Sequence, residues 1–149
     1  QIKSGASIIQ IFDSWAGLLP EKDLEYFVYK PIKSLVDFIR QKKTISICFP
    51  RNISNYKKFV DNVNPDIINI DYNIDPSIIS DTIDIPIQGG LDPKILLQNK
   101  EIVGNEVTKY LKTFDKKRYI FNLGHGVLPD TNPDMVKYLV DEVRSFNGQ

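Results

Sequence analysis

The residues able to do chemistry in this chain gather in a few short stretches, each placed where an apolar run stops. "FNLGHGVLPD" (121–130) holds the only histidine, His125, between Gly124 and Gly126. An imidazole there can bind a carboxylate as a cation or transfer a proton, and glycines on either side can take positive φ or let the backbone approach a ligand. The plainer alternative is a turn whose histidine caps a backbone carbonyl. "FDSWAG" (12–17) sets Asp13 and Ser14, which can bind or polarise a ligand, beside Phe12 and Trp15, flat walls of the kind that line small-molecule pockets. As turn or capping residues Asp13 and Ser14 would read the same, with Trp15 in the core.

Three further stretches carry weaker signals. "QGGLDP" (88–93) has neither the GxGxxG pattern nor the lysine of a phosphate loop, so Gly89 and Gly90 are expected to make a tight turn and Asp92 to cap a helix that begins at Pro93. "NIDYN" (69–73) offers Asp71 and Tyr72, where a pocket group and a loop residue cannot be told apart. "PRNISNYKK" (50–58) is mildly basic and able to hold an acidic ligand, but a solvated turn and helix start is the expectation. One histidine, one cysteine and scattered carboxylates make no metal-ligand spacing, and no metal is expected.

Composition bounds the partners. The chain has 149 residues, the length of one ordinary domain, with 19 Lys plus Arg against 19 Asp plus Glu. No broad basic field exists to hold nucleic acid or an anionic membrane, and neither is expected as a partner. The lone Cys48 excludes an internal disulfide and fits a reducing cytoplasm. No stretch approaches membrane-spanning length. The chain opens without methionine and enters an apolar pattern at once, which suggests the tail of something longer.

Elements that would position these residues follow from periodicity. Five runs rich in β-branched residues, at 7–12, 44–49, 66–70, 84–88 and 118–123, have strand length and nearly continuous apolar character, as expected for strands covered on both faces of a parallel sheet. Between them, apolar residues recur at helical spacing: Leu24, Phe27, Val28, Ile32, Leu35, Val36 and Ile39; then Tyr56, Phe59, Val60 and Val63; then Val103, Val107, Tyr110, Leu111 and Phe114; then Val136, Leu139, Val140 and Val143. Pro31 is expected to divide the first of these into two helices. Asn132 is expected to cap the helix that opens at Pro133. The alternation implies an α/β unit over 1–149, with a parallel sheet either open and doubly wound or closed as a barrel. In both, ligands meet the carboxyl ends of the strands, where the four unusual joints "FDSWAG", "NIDYN", "QGGLDP" and "LGHGVLPD" lie.

In this order the joints resemble the C-terminal portion of the uroporphyrinogen decarboxylase family, from "SGASIIQIFDSWAG" through "PIQGGLDPKIL" to "YIFNLGHGVLPDTNPDMVKYLVDEV". The resemblance covers essentially the whole chain. It implies a partial (β/α)8 TIM barrel, the last five strands with their helices, and so favours the barrel over the open sheet. It further implies a cofactor-free lyase reaction that removes the four acetate carboxyls of uroporphyrinogen III to give coproporphyrinogen III in porphyrin and haem biosynthesis. Protonating a pyrrole carbon makes the ring an electron sink for the departing CO₂. His125 would face the substrate cleft, with Ser14, Asp13 and Phe12 as further substrate contacts.

Some of the family pattern is missing. The arginine-rich "MRQAGR" stretch, the aspartate that gathers pyrrole NH groups and the cleft tyrosine have no counterpart, so the chain alone is expected to be nearly inactive. "GGLDP" stands where the family usually reads "GNLDP", and "FPRN" where phenylalanine is usually followed by "KG". Open sheet edges would demand a partner, either the missing N-terminal half or a second copy in a homodimer. The alternative reading is a non-catalytic fragment that persists as a folded oligomer or weak tetrapyrrole binder. A zinc- and corrinoid-dependent methyltransferase of the same superfamily is disfavoured, because Cys48 has no second cysteine beside it.

Overall fold

The structure of the chain, a computed structural model, describes residues 1–115 and 118–146, so the expected 1–149 unit runs at its end, 147–149, outside the described residues. Strands form where the β-branched runs lie: β1 (Ile8–Asp13), β2 (Ile45–Pro50), β3 (Ile67–Ile70), β4 (Ile87–Gly89) and β5 (Tyr119–Ile120). They make one five-stranded sheet in the order β1-β2-β3-β4-β5, every pair parallel. Between them run α1 (Glu21–Leu24), a π-helical turn (Glu25–Tyr29), α2 (Lys30–Gln41), α3 (Tyr56–Val63), α4 (Pro76–Thr82), α5 (Lys100–Thr113) and, last, α6 (Pro133–Ser145).

Sequential order without reversal decides where the helices go. Each crossover returns to the next strand in the same direction, and the right-handed rule then stacks all of them on one face. The core agrees: Cys48, Ile68, Ile70 and Ile87 of the strands share one buried cluster with Val28, Val36, Phe59, Ile79, Val103, Val107 and Leu139 of the helices. Burial pushes the Cys48 thiol up to about 12, so it sits there as a small neutral apolar group.

The opposite face is concave. Gln88 Nε2 donates to Gln10 Oε1 at 3.3 Å although β2 and β3 lie between their strands. In a flat sheet those backbones would stand roughly 14 Å apart, three inter-strand spacings, which is beyond comfortable reach for two glutamines. The sheet therefore curls. Gln88 also donates to Asn69 Oδ1 at 2.6 Å, which ties β4 to β3 on the same side. Ile47, Phe49 and Ile67 are buried in the curl, whereas Ile8, Phe12, Ile45 and Ile120 are exposed. Burial on both faces, expected of every strand, thus holds for β2 to β4 apart from Ile45 at the start of β2 and fails for β1 and β5, which among the described residues have a neighbour on one side only.

Two local expectations need correction. Pro31 does not divide a helix: the π-helical turn directly before it, where Lys30 N–H reaches Glu25 O, shifts the register so that the missing donor and the ring are absorbed without a break. Phe27 and Leu35, part of the expected buried stripe, are exposed at 61% and 50%; Leu24, Val28, Ile32, Val36 and Ile39 face the core, joined by Tyr29. The caps are as expected. Asn132 accepts from Asp134 N and Asp92 from Lys94 N, each at 2.9 Å, although Asp92 opens a 3₁₀ turn (Pro93–Leu97) and α5 has its own cap, Asn99. Among the described residues no helix is long and apolar enough to cross a membrane, and no group of three or more His, Cys, Asp or Glu side chains could hold a metal.

Candidate active site

Parallel strands put all their carboxyl ends on one rim, so the joints singled out by their residue types share one edge of the sheet. At the β1 end, Phe12 lies on the concave face, 65% exposed, with its ring edge-on to Phe49 at 6.1 Å between centroids. Asp13 closes the strand and accepts from Trp15 N at 3.3 Å, a turn contact that uses one carboxylate oxygen. Ser14 is exposed at the turn. Trp15, 71% exposed, is not a core residue and stands on the surface beside it. The loop lies close on the β2 loop: Arg51 N donates to Asp13 O at 3.0 Å, Gly17 N donates to Arg51 O at 2.9 Å, and a Cβ on Gly17 would run into the Asn52 carbonyl.

The middle of the rim is held by its own side chains. Asp71, 1% exposed, accepts from Asn52 N at 2.7 Å, Tyr56 Oη at 3.0 Å and Asn73 N at 2.8 Å. Its own N–H donates to the Tyr56 oxygen at 3.1 Å. Burial, then the Asp71 charge, push the Tyr56 phenol far up, so it stays a neutral donor. Asp71 is thereby a residue of loop architecture. At the β4 end Gly89 and Gly90 take φ of 87° and 103°, the tight turn expected of them. Tyr119 Oη donates to Gly89 O and Tyr110 Oη to Gly90 O, both at 2.7 Å, and burial pushes the Tyr110 phenol up to about 12.

Beyond β5 the chain bridges Leu123 to Leu91, and Gly124 N donates to Leu91 O at 2.8 Å. Neither Gly124 nor Gly126 has positive φ. Gly124 is needed for close approach to the chain itself: a Cβ there would sit 2.5 Å from Tyr72 N. Gly126 has open space around it, and His125 between them is exposed on the rim. Phe12, Asp13 and Ser14 thus come together at one end of the rim, and His125 lies at the other, because β1 and β5 are opposite edges of the sheet. One end offers an aromatic wall, a carboxylate and a hydroxyl; the other offers an imidazole able to take or give a proton.

Sequence reasoning missed two features. The sequence marks Tyr56 only as an apolar helix position, and nothing local announces its bond to Asp71. The concave row Gln10, Asn69 and Gln88 did have a signal, a polar residue standing alone in each of "IIQIF", "IINI" and "PIQ".

Comparison with known proteins bears on what such a rim serves. The family model described as Uroporphyrinogen decarboxylase (URO-D) matches residues 1–146. The chain is 43% identical to uroporphyrinogen decarboxylase of Rickettsia bellii, covering 98% of this chain and 44% of that protein, and 39% identical to that of Rickettsia felis, covering 98% and 43%. It therefore spans less than half the length of these relatives.

Proposed function

Because the chain belongs to the uroporphyrinogen decarboxylase family, we propose that it forms the C-terminal portion of such an enzyme, residues 1–149 making up a single unit, the last five strands of an eight-stranded barrel. The observation that carries this reading is the family match over residues 1–146, and the curled sheet with helices on its convex face alone supports the barrel geometry. Its proposed substrate is uroporphyrinogen, and its proposed activity the cofactor-free removal of the acetate carboxyls as CO₂.

The chemistry asks for few groups. Once a pyrrole carbon is protonated, the bond to the carboxylate breaks and its electron pair flows into the ring, so the protein must hold a polyanion and manage one proton. In this reading His125 meets a substrate carboxylate or transfers that proton, while Ser14 and Asp13 make polar contacts and Phe12 supplies a wall for the macrocycle. The unpaired edges at β1 and β5 and the exposed Ile8, Phe12, Ile45 and Ile120 favour a completing partner, either an N-terminal half or a second copy. A reducing cytoplasm remains the proposed compartment.

Anaerobic decarboxylation of uroporphyrinogen III, by the chain alone and after mixing with a separately produced N-terminal half, tests this. Activity is expected only on mixing, with a fall of about 10²-fold or more in His125→Ala. A folded, assembled mixture without activity would instead support the non-catalytic fragment.

A further inference from the structure

One cation on the rim has a side chain that no hydrogen bond or ion pair among the described residues engages. Arg51 follows β2 directly and carries its ladder one residue further, donating its N–H to Asp13 O and accepting from Gly17 N. The backbone of this residue clasps both ends of the loop that holds Ser14. Side chains alternate along a pleated strand, and Arg51, in the turn just past the end of β2, is the next position in the row Ile45, Ile47, Phe49 of the concave face.

The guanidinium there is not satisfied from within. Its Nε is buried without a hydrogen-bond partner, and among the described residues no carboxylate pairs with it. Arg40 shows the contrast, since it reaches both Asp37 and the Asn64 carbonyl. The solvated turn and helix start expected of 50–58 are present, with α3 opening at Tyr56 behind its Asn55 cap, but Arg51 itself is half-buried. A partly dehydrated guanidinium with an orphaned donor costs stability unless something supplies an acceptor, and the planar fork matches a carboxylate in two-point contact.

We propose that Arg51 is a carboxylate-binding residue of this rim, gripping one acidic arm of a ligand whose flat body lies against the exposed Phe12. This rests on the functional reading above and adds a cation on the β1–β2 side to the imidazole at the β5 end. Two anchors at opposite ends of the rim would fix a polyanionic ring by two of its arms.

Fluorescence titration with uroporphyrin I, a stable octacarboxylate macrocycle, tests the assignment on the chain itself. Arg51→Gln, and Arg51→Met as a second uncharged replacement, are expected to weaken binding by about tenfold or more at low salt. Arg51→Lys should recover part of the loss, Lys22→Gln on α1 should change nothing, and the Arg51→Gln deficit should shrink as salt rises. Circular dichroism establishes that each variant is folded. Binding by a folded, uncharged Arg51 variant as tight as that of the unaltered chain would overturn the assignment and leave the rim reading standing. No saturable binding by the folded, unaltered chain would overturn both.

Discussion

The middle of the rim and its two ends are built on opposite principles. Around β3 and β4, Asp71, Tyr56, Tyr110 and Tyr119 spend their polar groups on the chain's own backbone and, for Tyr56 and Asp71, on each other, and the glycines there take the φ values the turns demand. Around β1 and β5 the polar and aromatic side chains Phe12, Ser14, Arg51 and His125 sit exposed or half exposed, with much of their bonding capacity unspent. A polar group already saturated by its own fold makes a scaffold. One left unsaturated on a rigid strand end is available to a ligand.

The two aspartates give the sharpest test of this contrast. Asp71→Ala would leave the buried Tyr56 hydroxyl and the Asn52 N–H without their acceptor, and is expected to cost about 3 kcal/mol. Asp13→Ala removes one exposed contact of 3.3 Å and is expected to cost less than about 0.5 kcal/mol. Urea denaturation of both variants measures the difference. Similar losses at the two sites would abolish the distinction between the middle of the rim and its ends.

The glycines flanking His125 test the same boundary at finer scale. Gly124 belongs to the packed middle through its approach to Tyr72, and Gly126 belongs to the open end. Gly124→Ala is expected to cost about 2 kcal/mol in a denaturation titration, because the backbone it would strike cannot rotate away. Gly126→Ala should stay within about 0.5 kcal/mol of the unaltered chain.

How much of this was legible in the sequence follows from the range of the interactions. The strands were, within a residue or two at most boundaries, because runs such as "TISICF" carry their own β signal. Caps at Asp92 and Asn132 were too, since a cap is completed two residues away. Asp13 and Asp71 could not be separated: what distinguishes them is a tyrosine fifteen positions earlier in the chain. The π-helical turn escaped because it is a shift of backbone register with no composition of its own. In the site, the residue types in "FDS" and "GHG" located the rim's ends, but the reason for Gly124 lay in a contact with Tyr72 that no local pattern encodes.

The smallest expected effect asks whether saturation or burial makes a rim carboxylate part of the scaffold. Asp75, at the start of α4, is more exposed than the half-buried Asp13, yet like Asp71 it is engaged by its own fold: its Oδ1 accepts both from Ser77 Oγ at 2.6 Å and from Ser77 N at 2.9 Å. Those bonds, the hydroxyl's first, hold its carboxyl below the usual aspartate range. A pKa lowered by folding means that the ionised form stabilises the fold. The contribution is complete above the unfolded-state value and is lost as pH falls through the folded one. Denaturation midpoints of the unaltered chain and Asp75→Asn, compared from about pH 7 to about pH 2.5, should show a small advantage for aspartate that fades only at the acid end. An advantage that persists unchanged in acid would mean that the charge at Asp75 contributes nothing, and that exposure alone decides which rim carboxylates the fold uses.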